Sequence, residues 1–198
     1  MMAALQPSTP VLECRGIERR FGGLVAVSGV DLRIDRGEIF GLVGPNGSGK
    51  TTLVNAITGF YPPQKGQIAL NGTDITGMKP HLVAKRSVAR TFQNLALFNG
   101  MSALDNILLG RHVHLRPGIA KTALYWWLGQ PEEIAHRRIC EEIIEFLQLE
   151  GVRDEPVESL SIGLKKRVEL ARALVAEPTF LILDEPMAGL NQEEKEYM

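Results

Sequence analysis

The stretch from Gly44 to Thr51, GPNGSGKT, has residue types and spacing suited to holding phosphate. It fits the pattern G-x-x-x-x-G-K-[ST], in which glycines let successive backbone N–H groups turn toward phosphate oxygens. Lys50 supplies a mobile positive charge for the β- and γ-phosphates, and Thr51 offers a hydroxyl group to Mg²⁺. We therefore predict that ATP and Mg²⁺ bind through Gly44, Pro45, Asn46, Gly47, Ser48, Gly49, Lys50, Thr51 and Thr52.

A second set of candidate residues follows the apolar run FLIL, which ends at Leu183. A short continuous apolar run is typical of a strand that is buried on both faces of a parallel sheet. Such a strand would deliver Asp184 and Glu185 to the carboxyl edge of the sheet, where ligands bind in open α/β folds. Asp184 is suited to hold Mg²⁺, and Glu185 can orient or deprotonate the attacking water. This signal is weak alone, but with the glycine-rich loop it predicts nucleotide hydrolysis, with Glu185 and Lys50 as catalytic residues.

The glycine-rich loop needs a strand before it and a helix after it, and the flanking sequence fits both. Residues 38–43 form a short apolar run that predicts the strand, and residues 51–57 have the apolar spacing of a helix. Further strands are predicted over 11–21, 27–34 and 67–70, with turns at Gly22-Gly23 and Asn71-Gly72. The order of these elements indicates an α/β protein.

Four segments beyond the loop have helical patterns, at 102–109, 132–149, 164–176 and after Asn191. The second is the clearest, because its apolar residues recur at helical spacing opposite a charged face. Ser102 and Ser161 are predicted N-caps, and Gly151 is the predicted stop of the second helix. The adjacent Trp126 and Trp127 fit either a packing contact or an anchor at a subunit interface, where aromatic residues are enriched.

The composition is that of an ordinary globular protein, and it narrows the function classes. A formal net charge of −1 gives no electrostatic reason to expect nucleic acid, because phosphate backbones bind basic faces. Cys14 and Cys140 have no metal-ligand spacing, which indicates reduced thiols in a cytosolic protein. No apolar stretch is long enough to span a membrane, and residues 1–10 do not have the pattern of a secretory signal. We therefore expect any work at a membrane to be done from a soluble face.

Several further motifs resemble those of the ATP-binding subunits of ABC transporters. The segment LSIGLKKR from Leu160 looks like the signature segment of this family, and the following ELARAL also fits. Gln93 lies where the family has its Q-loop glutamine, and Phe21 where it has an aromatic residue that stacks on adenine. The stretch AGLN from Ala188 lies at the position of the D-loop. The resemblance covers residues 11–198, nearly the whole chain.

The resemblance implies a fold and an assembly. The fold would be an α/β P-loop ABC ATPase core with an antiparallel N-terminal β subdomain. The chain would be a single nucleotide-binding domain, 1–198, with a helical insert at about 78–158 that docks on transmembrane permease subunits. Two ATPase subunits, identical or related, would meet head to tail, so that Ser161 and Gly163 contact the γ-phosphate on the opposite subunit. Gln93 would join Thr51 and Asp184 around Mg²⁺. The chain would then work on the cytoplasmic face of the inner membrane, as a peripheral subunit.

Two longer runs resemble the ATP-binding subunits of branched-chain amino-acid importers. They are RTFQNLALFNGMSALDNILLG from Arg90 and EPMAGLN from Glu185. The resemblance implies import of a small solute, branched-chain or other amino acids, with urea and amides open. Two alternatives remain at the sequence level: a soluble ABC ATPase that acts on nucleic acid or ribosomes, and a non-catalytic ATP-binding fragment.

The sequence departs from the family pattern at a few positions. Ile162 stands where the signature usually has Gly, Leu164 where it usually has Gln, and Asn191 where the D-loop commonly has Asp. The sequence ends at Met198, before the positions of the family's switch histidine and last strands. We therefore expect a domain that is incomplete at the C-terminus, lacks the last strands, and binds ATP but hydrolyses it poorly in isolation.

Overall fold

The computed structural model describes residues 9–92, 95–114 and 130–196. They form two compact units that divide between Val88 and Ala89. Gln93, Trp126 and Trp127, which were singled out above, lie outside the described residues.

An antiparallel sheet organises the first unit. Its strands lie in the order β2-β1-β3-β4 and are β1 (Leu12–Phe21), β2 (Leu24–Ile34), β3 (Lys65–Leu70) and β4 (Thr73–Asp74). β1 pairs antiparallel with both β2 and β3, and the predicted Gly22-Gly23 turn places Phe21 opposite Leu24. Leu12 and Cys14, two positions apart, both face the core and are almost fully buried. This spacing is the period of two expected of a half-buried strand. The predicted antiparallel N-terminal sheet is confirmed.

Two helices complete the first unit. Helix α1 (Lys50–Ile57) follows the glycine-rich loop as predicted, and its Leu53, Ala56 and Ile57 are buried. Helix α2 (Pro80–Ala84) begins with a proline, whose missing N–H costs nothing in the first turn. Helix α1 therefore buries a short apolar face, whereas α2 buries Val83, and the first turn of α1 adjoins the glycine-rich loop.

The second unit is mainly helical. Strand β5 (Val88–Arg90), which begins at the last residue of the first unit, pairs with β6 (Phe180–Ile182) in a two-stranded sheet. The α-helices of the second unit are α3 (Ala103–Leu108), α4 (Gln130–Phe146), α5 (Ile162–Leu174) and α6 (Gln192–Glu196). Short 3₁₀ helices lie at Leu109–His114, Glu150–Val152 and Val157–Ser159. The four predicted helices are confirmed; the bounds of the helical insert stay a prediction.

One apolar cluster joins α3, α4 and α5. Ile107, Cys140, Ile144 and Val168 lie at its centre, each 1% exposed or less. Burying a side chain of this size stabilises a fold by about 1.5–3 kcal/mol, so the cluster makes a large contribution to the stability of this unit. No helix among the described residues is long and apolar enough to cross a membrane.

Helix α4 ends earlier than predicted. Gln148 adopts a left-handed backbone with φ of 52°, the N–H of Gln148 donates to the carbonyl of Glu145 (3.0 Å), and the N–H of Leu149 donates to that of Ile144 (2.9 Å). This pair of bonds is the Schellman motif. The prediction of Gly151 as the stop was wrong because a glutamine takes the position that usually belongs to glycine.

The strand predicted over 38–43 is absent. These residues have no regular secondary structure, and Ile39 and Val43 are 100% and 93% exposed. A strand is stabilised by hydrogen bonds to neighbouring strands. The two sheets of the described residues are formed by other segments, so residues 38–43 have no strand to pair with there. β6 is formed as predicted but is half-buried along its length, so the expectation of burial on both faces was wrong.

Candidate functional site

Glycines shape the loop before α1. Gly47 and Gly49 have φ of 81° and 92°, a region that other residues rarely adopt. A Cβ atom on Gly49 would lie 2.2 Å from the backbone oxygen of Ala26 in β2. One on Gly44 would lie 2.8 Å from Ser48 Oγ. The loop therefore requires glycine at Gly49 both for its backbone angles and for its contact with β2.

Helix α1 begins at this loop without a side-chain cap. Its N-cap residue is Gly49, which has no side chain to accept a hydrogen bond from the first turn, and no acidic residue lies in that turn. The first N–H groups and the positive end of the helix dipole therefore remain for an anion. Lys50 Nζ donates to the carbonyls of Gly44 (2.6 Å) and Pro45 (2.9 Å), so the ammonium lies over the loop. The side chain of Thr51 is exposed and that of Thr52 half-buried.

Phe21 lies in the same unit as the loop. It is the last residue of β1, faces Leu24 across the hairpin and is 40% exposed. The strand that begins at Leu24 continues to Ala26, the residue that contacts Gly49. One hairpin thus carries both the aromatic residue and the backbone against which the loop packs.

Asp184 follows β6 in the second unit. It contacts Arg90, the last residue of β5, and the next residue, Thr91. Its Oδ2 lies 2.7 Å from Arg90 Nη2, and the two side chains are 16% and 7% exposed. Its N–H donates to the hydroxyl of Thr91 (3.3 Å). The carboxylate is therefore fixed by a charged neighbour that the sequence motifs did not indicate.

Glu185 has an exposed side chain and a strained backbone. Its φ is 50°, a conformation that costs a residue with a side chain about 1–2 kcal/mol. Lys166 Nζ of α5 donates to the carbonyls of Glu185 (3.2 Å), Pro186 (3.0 Å) and Ala188 (2.5 Å). This single ammonium holds the turn that orients Glu185, and strain of this kind is found at functional sites.

Ser161 caps α5 as predicted, with its hydroxyl accepting from the N–H of Leu164 (3.3 Å). Gly163 is buried in the first turn. Glu194 of α6 lies against both: its Oε1 accepts from the N–H of Gly163 (3.2 Å) and lies 3.4 Å from Ser161 Oγ. A carboxylate thus occupies the N-terminus of this helix, where the dipole favours negative charge.

Glu169 is a buried acid close to these groups. It is 4% exposed, its Oε1 accepts from the N–H of Phe92 (3.2 Å), and burial raises its pKa above the ordinary glutamate value. Sequence patterns did not single out Glu169, Arg90, Lys166 or Glu194. A sequence signal existed for Glu194, which follows the predicted cap Asn191 by three residues as in a capping box.

The ABC transporter family matches residues 27–188, which include the loop, the Ser161 segment and Asp184. This chain belongs to the ABC transporter family. The match explains why one sequence contains both a phosphate-type loop and the LSIGLKKR segment. As a family member the chain is an ATP-binding subunit of a transporter, and the predicted α/β ABC ATPase fold is confirmed.

Curated relatives and solved structures show which members of the ABC transporter family this chain is similar to. It is 39% identical over 191 residues to the high-affinity branched-chain amino acid transport ATP-binding protein BraF of Pseudomonas aeruginosa, covering 94% of this chain and 73% of that protein. It is 37% identical to LivG of Escherichia coli, with the same coverage. A nucleotide-free ATP-binding cassette of an ABC transporter superposes with a TM-score of 0.79 at 31% identity, covering 95% of this chain and 74% of that one. The ADP conformation of the cassette MJ1267 also has a TM-score of 0.79, at 31% identity, and covers 96% of this chain and 74% of that chain.

The segment that resembles the ABC signature has two apolar residues, Ile162 and Leu164, whose environments differ. Ile162 is 47% exposed, and its Cδ1 lies 3.7 Å from where a Cβ atom on Gly189 would be. Leu164 packs against the apolar cluster of the second unit. Leu164 therefore has a packing role, while Ile162 adds exposed apolar surface beside Ser161.

Proposed function

We propose that this chain binds MgATP at residues 44–52 and hydrolyses it to power import of a small solute. Branched-chain or other amino acids are the proposed cargo, because BraF and LivG are named as branched-chain amino acid transport proteins. Transmembrane permease subunits and a second ABC ATPase subunit are the proposed partners, on the cytoplasmic face of the inner membrane. Nucleic acid is not a proposed partner, in keeping with the net charge of −1.

The uncapped start of α1 is the observation that carries the proposal. The helix presents uncapped N–H groups at a loop in which Gly47 and Gly49 have backbone angles that other residues rarely adopt. Lys50 already lies over that loop, where it donates to the carbonyls of Gly44 and Pro45. A triphosphate would draw the ammonium from these neutral acceptors to its own charged oxygens, which form stronger hydrogen bonds. Backbone N–H groups, helix dipole and lysine thus converge on one anion.

The residues fit Mg²⁺ through the chemistry of their donors. Thr51 offers an exposed hydroxyl and Asp184 a carboxylate, and Mg²⁺ prefers such oxygen ligands. Gln93 is proposed as a third contributor. Bound Mg²⁺ would offset the negative charge of the phosphates. Arg90 restrains the carboxylate of Asp184 in one orientation.

The remaining roles are divided between the two units. Phe21 is proposed to stack on the adenine base, while Glu185 orients or deprotonates the attacking water. Ser161 and Gly163 are proposed to contact the γ-phosphate bound to the second subunit. Because Glu194 now occupies these groups, ATP-driven pairing would require it to move.

Glu185→Gln tests the proposed hydrolysis. The variant keeps the size of the side chain but cannot accept the proton of the attacking water. We expect unchanged ATP affinity, measured by calorimetry with Mg²⁺, and at least a hundredfold slower phosphate release. Glu145→Gln, at an exposed position of α4, is the matched control. Equal turnover by the Glu185 variant and the wild type would remove Glu185 from the chemistry.

A further inference from the structure

Two side chains, Arg19 and Tyr61, contact the ring of the proposed base-stacking residue, Phe21. Phe21 and Tyr61 meet edge to face, with ring centroids 5.4 Å apart and planes at 83°. The Arg19 guanidinium lies over both rings, 4.8 Å from the centroid of Phe21 and 5.9 Å from that of Tyr61. Arg19 and Phe21 are two positions apart on β1, so they share a face of the strand.

The chain holds this cluster together with several hydrogen bonds. Arg19 Nη1 donates to the carbonyl of Pro62 (2.8 Å), directly after Tyr61. The N–H of Gln64 donates to the carbonyl of Glu18 (2.8 Å), and Gln64 Oε1 accepts from the N–H of Arg20 (2.7 Å). The loop after α1 is thus fastened to the last residues of β1, which places Tyr61 beside Phe21.

The contacts restrain the Phe21 ring while leaving part of it open. One face is turned to the guanidinium and Tyr61 meets the ring edge to face, yet Phe21 remains 40% exposed. Aromatic pairs and cation–π contacts each favour a definite geometry. A ring used only to cover the core would be buried. This one is fixed in orientation and presented to solvent, as stacking on a planar ligand requires.

We propose that Arg19 and Tyr61 are positioning residues that hold the Phe21 ring as the platform for the adenine base of the nucleotide. The inference rests on the proposed function, because it assumes that the base meets Phe21. The two residues act through the Phe21 ring. Because they already restrain the ring, less conformational entropy is lost when the base stacks on it. Their effect is therefore confined to ligands that carry a base.

Paired binding measurements on the full chain test the proposal. Affinities for ATP and for inorganic tripolyphosphate, which has no base, are measured by calorimetry for Phe21→Ala, Arg19→Met, Tyr61→Leu and Tyr61→Phe. We expect Phe21→Ala to weaken ATP binding about tenfold, the range of one base–aromatic stack. Arg19→Met and Tyr61→Leu should weaken it about threefold each. Tyr61→Phe, which keeps the ring, should bind ATP normally, and all four variants should bind tripolyphosphate like the wild type.

Arg15→Met is the matched control for Arg19→Met. Arg15 lies on the same strand, is exposed, and its guanidinium pairs with Glu13. If Arg19→Met does not fold, Arg19→Lys replaces it, because lysine keeps the charge but lacks the planar guanidinium. Arg19→Lys should also weaken binding of ATP and leave binding of tripolyphosphate unchanged.

The outcomes separate the two proposals. No effect of Phe21→Ala on ATP affinity would overturn the placement of the base at Phe21, and with it this inference. Weaker ATP binding by Phe21→Ala together with wild-type binding by Arg19→Met and Tyr61→Leu would overturn the inference alone. Equal weakening of ATP and tripolyphosphate would also overturn it, since the substitutions would then act on the phosphate loop.

Discussion

Arg90 and Asp184 form a buried ion pair, with 2.7 Å between Nη2 and Oδ2 and with side chains 7% and 16% exposed. The pair joins β5 to the end of β6, where Asp184, the carboxylate proposed to bind Mg²⁺, lies. Removal of one member of such a pair leaves a charge without its partner in a poorly hydrated site, which costs far more than the loss of an exposed pair.

Arg90→Met should therefore lower the free energy of unfolding by about 3 kcal/mol. Urea denaturation of the variant measures this, with Arg15→Met as the control for an exposed pair and an expected loss below about 1 kcal/mol. Addition of Asp184→Asn to Arg90→Met should restore part of the loss. Equal stability of the Arg90 and Arg15 variants would show that the buried pair does not support the fold.

Gly110→Ala should destabilise the second unit. A Cβ atom there would lie 2.2 Å from the carbonyl oxygen of Arg172 and 2.6 Å from Val175 Cγ2. Overpacking against backbone costs about 1–3 kcal/mol. Gly151→Ala is the control, since nothing lies within 4 Å of its Cβ position, and it should be neutral or slightly stabilising. Thermal unfolding compares the two; similar melting temperatures would contradict the close packing of Gly110.

Glu194→Gln should strengthen ATP-dependent association of two subunits. The glutamate carboxylate competes for Ser161 and Gly163 with the γ-phosphate proposed to bind there. Glutamine still serves in the capping box with Asn191, so α6 should stay formed. Loss of one charge at a helix N-terminus changes binding by about two- to fivefold. Analytical ultracentrifugation with ATP measures the association, with Glu145→Gln as control. Weaker or unchanged association would argue against competition.

Glu177 should give the unfolding free energy a pH dependence in the acid range. Arg111 donates to its carboxylate (2.6 Å), and this bond holds the pKa of Glu177 below the ordinary value of 4.5. A lowered pKa in the folded state means that the stabilisation is complete above the unfolded pKa and is lost as pH falls through the folded pKa. The side chain is 56% exposed, so solvent screening limits the effect to about 0.5 kcal/mol.

Glu177→Gln isolates this contribution. The difference in unfolding free energy between wild type and variant should be constant near neutral pH and decrease as the pH falls below about 4.5 and through the lowered folded pKa of Glu177. Urea titrations at a series of pH values measure it. A difference that grows as the pH falls would contradict the assignment.

Local features made part of this structure predictable from sequence. The caps Ser102 and Ser161 act on the turn that follows them, and the glycine-rich loop owes its shape to adjacent residues. The strand expected over 38–43 failed because a strand depends on partners that its own residues do not specify. The contacts of Asp184 with Arg90, and of Gly163 with Glu194, likewise join residues far apart in the chain. The Q-loop residue Gln93 stays a prediction.

The most direct test of the central claim is ATP binding by the full chain with Mg²⁺, measured by calorimetry for the wild type, Lys50→Ala and Lys65→Ala. Lys65 lies on β3, pairs with Glu18 and is exposed, so it controls for the loss of a lysine. We predict binding by the wild type and by Lys65→Ala, and at least tenfold weaker binding by Lys50→Ala, since one charge-assisted contact to phosphate is worth about 1.5–3 kcal/mol. Absence of binding by the wild type, or equal binding by all three proteins, would contradict the assignment of residues 44–52 as the nucleotide site.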